Sequence, residues 1–290
     1  MLRWAVGGAL LGGLLALGAF VPAAWLARQL SDASGQRLLL ADASGTAWRG
    51  HAVLVLTSGA DSRDAAALPG RLHWRLSWHG GAPALRLEQA CCIDGALLVR
   101  WRPGLAATRF ELVTLPAESG APAPAAEPGA PATAPAAAPA AAAAAAGPAT
   151  IGHWPVAWLA GLGAPLNTLR LSGSMKLSAQ NLSLESVQGR LVLGGRAELA
   201  LNGVGSRLST LDVLGDYRLS VQGDPRGQAA TLQLRTTSGA LQLSGEGQWA
   251  ASRLRFNGQA SAAPGFESAL NNLLNIIGRR QGALSLISIG

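Results

Sequence analysis

The stretch RLVLGGRAELALN, Arg190–Asn202, places Leu191, Leu193, Ala197, Leu199 and Leu201 at alternate positions, with Arg196 and Glu198 between them. Successive side chains of a strand point to opposite faces, so this spacing gives one apolar and one polar face. Gly194–Gly195 reads as a two-residue hairpin turn between two short strands.

The same period extends in both directions. Leu169 and Leu171, Met175 and Leu177, and Leu182 and Leu184 precede the stretch. Tyr217, Leu219 and Val221, then Leu232 and Leu234, Leu241 and Leu243, and Leu254 and Phe256 follow it. Leu72, Trp74, Leu76 and Trp78 alternate with His73, Arg75 and Ser77 in the first half, and Leu85 and Leu87 flank Arg86. One-sided strands of this kind predict antiparallel sheet blocks with one apolar face, arranged as a sandwich or a curved half-pipe. The 37 glycines supply tight turns. After Pro264, the positions Phe266, Ala269, Leu270, Leu273, Leu274 and Ile277 predict an amphipathic helix stopped by Gly278 and packed on the sheet. VAWLAGL, residues 156–162, reads as a brief apolar turn.

Two other segments organise the chain. Trp4–Leu26 holds 23 residues without a charge, and about 20 helical residues span a bilayer core. A cleaved signal peptide has a shorter apolar region, of about 7–15 residues, and a better small-residue cleavage site. The run therefore predicts an uncleaved single-pass anchor; Arg3 and Arg28 flank it almost symmetrically, so the positive-inside rule hardly orients it. The expectation is a cytoplasmic N-terminus and an exported remainder. Ala117–Thr150 is nearly all Ala, Pro and Gly, cannot build a core, and reads as a flexible linker. The predicted units are residues 1–28 as anchor, 29–116 as a first β-rich block, 117–150 as linker and 151–290 as a second β-rich block with its helix. The two blocks are expected to dock, because either sheet alone would leave its apolar face in water.

The net charge of +7 comes almost wholly from arginines, scattered singly, with Lys176 the one lysine. No block of like charge and no nucleic-acid motif is present, so a solvated basic surface is predicted and no nucleic-acid partner. His51, His73, His79 and His153 stand apart, without metal-ligand spacing. Gly245–Ala250 (GEGQWA) matches a dinucleotide-binding spacing, but strand-like runs flank it where a helix is needed. No nucleophile elbow, phosphate loop or paired carboxylates appear, and the chain is read as a non-enzyme without cofactors.

Cys91 and Cys92 are adjacent. Consecutive Cα atoms lie about 3.8 Å apart, below the roughly 4.4–6.8 Å usual for disulfides, so a bridge between them would be strained. Two readings stay open: free thiols in a turn, or a vicinal disulfide formed in an oxidising compartment. Trp48, Trp101, Trp154 and Trp158 are candidate interface anchors, since tryptophan is enriched at hot spots, while Trp74 and Trp78 are expected in the core.

SGTAWRG at Ser44–Gly50 and LPGRLHWRL at Leu68–Leu76 resemble the N-terminal half of type II secretion system protein N, the general secretion pathway protein N family. WPVAWLAGLGAPLNTLRLSG at Trp154–Gly173, GSRLSTLDVLGDYRLSVQG at Gly205–Gly223 and the terminal LNNLLNIIGRRQGALSLISIG resemble its second half; the resemblance covers nearly the whole chain, with the Ala/Pro insert as the main departure. The resemblance implies an inner-membrane, periplasm-facing accessory subunit of the apparatus that moves folded proteins across the outer membrane. Its implied partners are other inner-membrane subunits of that apparatus, reached through periplasmic contacts. It implies no catalytic residues. The alternative is binding of lipid or another apolar ligand along a groove lined by Leu171, Leu193, Leu199, Leu219 and Leu234.

Overall fold

A computed structural model describes residues 20–60, 62–104, 107–115, 147–187, 190–224, 229–250 and 253–290. Sixteen strands among the described residues form one antiparallel sheet. In the first half these are β1 (Leu38–Gly45), β2 (Arg49–Thr57), β3 (Ala65–Ala67), β4 (Leu72–His79), β5 (Ala82–Glu88), β6 (Ala96–Pro103) and β7 (Ala107–Leu115). After β8 (Ala149–Pro155) come β9 (Leu171–Val187), β10 (Arg190–Ser206), β11 (Gly215–Gln222) and β12 (Ala230–Gly239). The sheet ends with β13 (Leu241–Ala250), β14 (Arg253–Ala262), β15 (Arg279–Gln281) and β16 (Leu284–Ile289). Neighbours follow chain order almost throughout, with β3 attached to β2, β8 to β9, and β16 lying between β14 and β15.

The halves of the sequence join edge to edge. β7 pairs with one part of β9, setting Phe110 opposite Leu184, and β8 pairs with another part, setting Trp154 opposite Met175. Among the described residues all strands belong to this one sheet, so the sandwich alternative is not what they form. The apolar face is instead covered in part by helices.

Gly194–Gly195 does not make a hairpin. Residues 190–206 form one long strand, paired with β9 from Arg190 opposite Val187 to Ser206 opposite Leu171. The register slips between Gly194 and Arg196, where Gly195 has φ +84° and a Cβ would lie 2.2 Å from the Asn181 carbonyl oxygen. A glycine in this conformation serves a β-bulge as well as a turn, and a 17-residue partner strand keeps the ladder running past it.

The alternation fixes the faces. Leu177, Leu199, Leu219 and Leu234 stand opposite one another across β9–β12. Over this face lie the 3-10 turn Val156–Leu162, α2 (Leu166–Leu169) and α3 (Glu267–Ile277), the last on the predicted residues. Leu270, Leu273 and Leu274 of α3 are fully buried with Val156, Met175, Tyr217, Leu241 and Ala260. At about 1.5–3 kcal/mol for each buried leucine, this plug is a main source of stability for the second half. An exception to one-sidedness is β6, where Leu98 is buried on the face that also carries Arg100.

Near the β1 edge of the same face, α1 (Ala23–Ala33) covers β1 and β2, packing Ala23 and the half-buried Leu26 against Ala52 and Trp74. The expected bilayer span Trp4–Leu26 therefore loses its last residues to an amphipathic helix that starts after Pro22. Residues 4–19 of that run lie outside the described residues, among which no helix is long and apolar enough to cross a membrane.

Candidate interaction surface

Antiparallel pairing brings one set of strand ends to a common rim: Gly45 with Gly50, His79 with Ala82, Pro103 with Thr108, Val187 with Arg190, and Ala250 with Arg253. This rim collects apolar side chains that the fold leaves in solvent. Trp48 (44 % exposed), Trp78 (77 %) and Trp101 (45 %) stand there with Phe110, Leu191 and Leu254. Trp101 faces Phe110 across β6 and β7, Phe110 faces Leu184, and Leu184 faces Leu193, so a lateral apolar row crosses four strands. Exposed apolar patches of this kind are characteristic of contact surfaces.

The chain also reaches the sheet at this rim. Pro22 bridges to Thr46, the Ala47 amide donates to the Val21 carbonyl at 2.8 Å, and the Trp74 indole donates to the Thr46 carbonyl at 3.2 Å. Phe20 and Trp25, on either side of this attachment, are exposed too. Trp25 and Trp48 thus flank the attachment, while Trp78 and Trp101 lie farther along the same rim, on the β4–β5 and β6–β7 hairpins.

The other two candidate tryptophans sit elsewhere. Trp154 and Trp158 are half-buried against the helix-covered core, and the Trp158 indole donates to the Ala66 carbonyl at 3.0 Å. Asn167 donates to an Asp64 carboxylate oxygen at 2.9 Å beside it, so this turn ties the second half of the sequence to β3. Trp74 is buried as expected, whereas Trp78, expected in the core, is the most exposed tryptophan among the described residues. Trp78 stands two positions before Gly80 in the β4–β5 turn, away from α1, which packs on β1 and β2.

Cys91 and Cys92 lie in the turn between β5 and β6, joined as a disulfide with Cα atoms 3.7 Å apart. The turn clips onto β8: the His153 amide donates to the Cys92 carbonyl at 2.7 Å, and the Asp94 amide to the Ile151 carbonyl at 3.0 Å. The Asp94 carboxylate and His153 Nδ1 are 3.1 Å apart. A Cβ on Gly152 would fall 2.0 Å from the Cys92 carbonyl oxygen, so only glycine allows this approach.

Gly245 and Gly247, which mimic a dinucleotide motif, have a packing role. With Gly258 they leave the space that the Phe256 ring occupies, where added Cβ atoms would come within 2.4, 3.0 and 2.9 Å of it. Of the leucines offered as a groove lining, Leu171, Leu199 and Leu234 pack against the core. A trough of about 680 Å³ opens instead on the polar face, lined by Arg196, Gln222, Gln233, Glu246, Gln248 and Arg255 among others. A cavity of about 630 Å³ opens on the polar face of β2, β4 and β5. Sequence reading missed both, because it saw those arginines as isolated.

Two titrating groups are displaced. Burial, assisted by the neighbouring Asp216 charge, pushes the Tyr217 hydroxyl well above its ordinary value; it donates to the Leu241 carbonyl at 3.1 Å. Asp216 is held below the usual carboxylate range by donation from the Gly203 amide (2.7 Å) and the Ser238 hydroxyl (2.8 Å). Both are structural positions at the edge of the core.

A family model described as type II secretion system (T2SS), protein N matches residues 36–286. No curated protein and no solved structure matches the chain.

Proposed function

This chain belongs to the type II secretion system protein N family, and on that premise we propose that it is a non-enzymatic, inner-membrane component of the apparatus. In this reading its N-terminus is cytoplasmic, its β-sheet lies in the periplasm, and it supports export of folded proteins by contacts with other inner-membrane subunits. Family membership itself gives the role in type II secretion and the interaction with other secretion components. The observation that carries the rest is the aromatic rim, exposed along the end of the sheet to which Val21 and Pro22 attach.

Tryptophans at such a rim suit two neighbours at once: a partner subunit, for which they are typical anchors, and the bilayer interface, where aromatic belts collect. We place the partner contact on Trp48, Trp78 and Trp101. The test is a photoreactive residue at position 78 or 101 in cells secreting substrate, with Val213, exposed away from the rim, as reference. Adducts with another inner-membrane secretion subunit, confined to the rim, are expected. Equal labelling at 213, together with normal secretion after deletion of the chain, would end this reading. The anchor has its own check in the first residue of the mature chain and in resistance to alkaline carbonate extraction.

A further inference from the structure

The register assembles a cationic row that the sequence scatters. Arg49 of β2 stands opposite Arg75 of β4, and Arg75 opposite Arg86 of β5. The adjoining row sets His51 opposite His73, and His73 opposite Glu88, with the two imidazole centroids 5.4 Å apart. All six side chains line the cavity of about 630 Å³ on the polar face.

Like charges placed directly opposite on neighbouring strands destabilise a sheet. Elsewhere this chain answers that with carboxylates. Arg102 and Arg109 face each other, and each has a glutamate at 3.1 Å, Glu111 and Glu185. Arg218 faces Arg235 and has Glu198 at 3.2 Å. In the row of three, Glu88 pairs with Arg86, and among the described residues no carboxylate lies within ion-pair reach of Arg49 or Arg75. One counter-charge thus serves three guanidinium groups.

We propose that Arg49, Arg75 and Arg86, with His51 and His73, form a binding site for a phosphate-bearing anion. A guanidinium presents a planar fork of donors that fits phosphate oxygens, and a phosphoryl group has enough acceptors for several forks, where a carboxylate has two oxygens. The cavity is far larger than a bare ion and falls within the roughly 300–1,000 Å³ of small-molecule sites, which favours a phosphate ester. The ligand is either a soluble phosphate ester or the headgroup of an anionic phospholipid. The site stands on the register and the charge count, so it does not depend on the partner contact proposed above.

The test uses the full chain in two settings. In neutral detergent micelles it is titrated calorimetrically with glycerol phosphate and with pyrophosphate. In nanodiscs of phosphatidylcholine with increasing phosphatidylglycerol, native mass spectrometry counts the anionic lipid retained. Saturable binding in either setting is expected, weakened about tenfold or more by R49Q or R75Q, the scale of one lost charge-assisted hydrogen bond. R75K, which keeps the charge and loses the fork, is expected between R75Q and the unaltered chain. R253Q removes an exposed arginine outside the cavity and leaves binding unchanged. Response in micelles identifies a soluble ester as sufficient; response in nanodiscs alone identifies the lipid headgroup. Absence of saturable binding in both settings overturns the proposal, and so does an equal loss in R253Q and R75Q.

Discussion

Tyr217 carries the clearest pH signature of any single residue in this sheet. Its hydroxyl is buried, hydrogen-bonded to a carbonyl, and raised above the ordinary tyrosine value of about 10. A folded value above the unfolded one means the neutral form is the one the fold stabilises. That contribution is fully present below about pH 10 and is lost as pH climbs from there towards the folded value. We expect thermal melts followed by circular dichroism to be flat with respect to this group near neutrality and to fall steeply above pH 10. Y217F is expected to lower stability at neutral pH by about 0.5–1.5 kcal/mol through the lost hydrogen bond, and to flatten the alkaline fall. A steep alkaline fall of unchanged size in Y217F would exclude Tyr217 as its source. At the same scale, Gly245 and Gly247 show how little a spacing says without context. The flanking strands argued against a nucleotide loop, but the ring of Phe256, which gives those glycines their role, comes from the next strand.

The helix α3 tests the packing of an element. Its three buried leucines came directly from the 3.6-residue spacing, and Leu273 is fully buried. L273A is expected to cost about 2–5 kcal/mol, read from denaturant unfolding, whereas substitution of exposed Asn272 on the same helix is expected near zero. The turn between β5 and β6 is a second element with a sharp prediction. Under the proposed periplasmic location, a maleimide reagent is expected to add no mass to the intact chain, and two labels after reduction by a dithiol. Two labels without reduction would show free thiols. G152A, which drives a methyl group into the Cys92 carbonyl, is expected to destabilise by about 1–3 kcal/mol. The strand β10 marks the limit of local reading. Gly194–Gly195 carries the same local information for a hairpin and for a bulge, and only the long partner strand β9 decides between them.

For the whole molecule, the rim makes the prediction that matters. Trp78 is mostly in solvent and Trp101 about half, so W78S combined with W101S is expected to lower the melting temperature only slightly. The same variant is expected to reduce partner adducts at the rim and secretion severalfold. A large drop in melting temperature would instead assign these residues a packing role. The arrangement also explains which parts of the surface were legible. The strands, their apolar and polar faces and α3 follow from periodicities of two and 3.6, which are local and survive in any sequence that must keep one side dry. The family resemblance was likewise carried by contiguous segments. The rim, the junction of β7 with β9 and the Arg49–Arg75–Arg86 row depend on which strands become neighbours, and that is set by pairing between residues far apart in the chain. Sequence alone thus determined what each segment hides and what it shows; only the tertiary structure decided what each exposed side chain stands beside, because register joins residues that no local pattern connects.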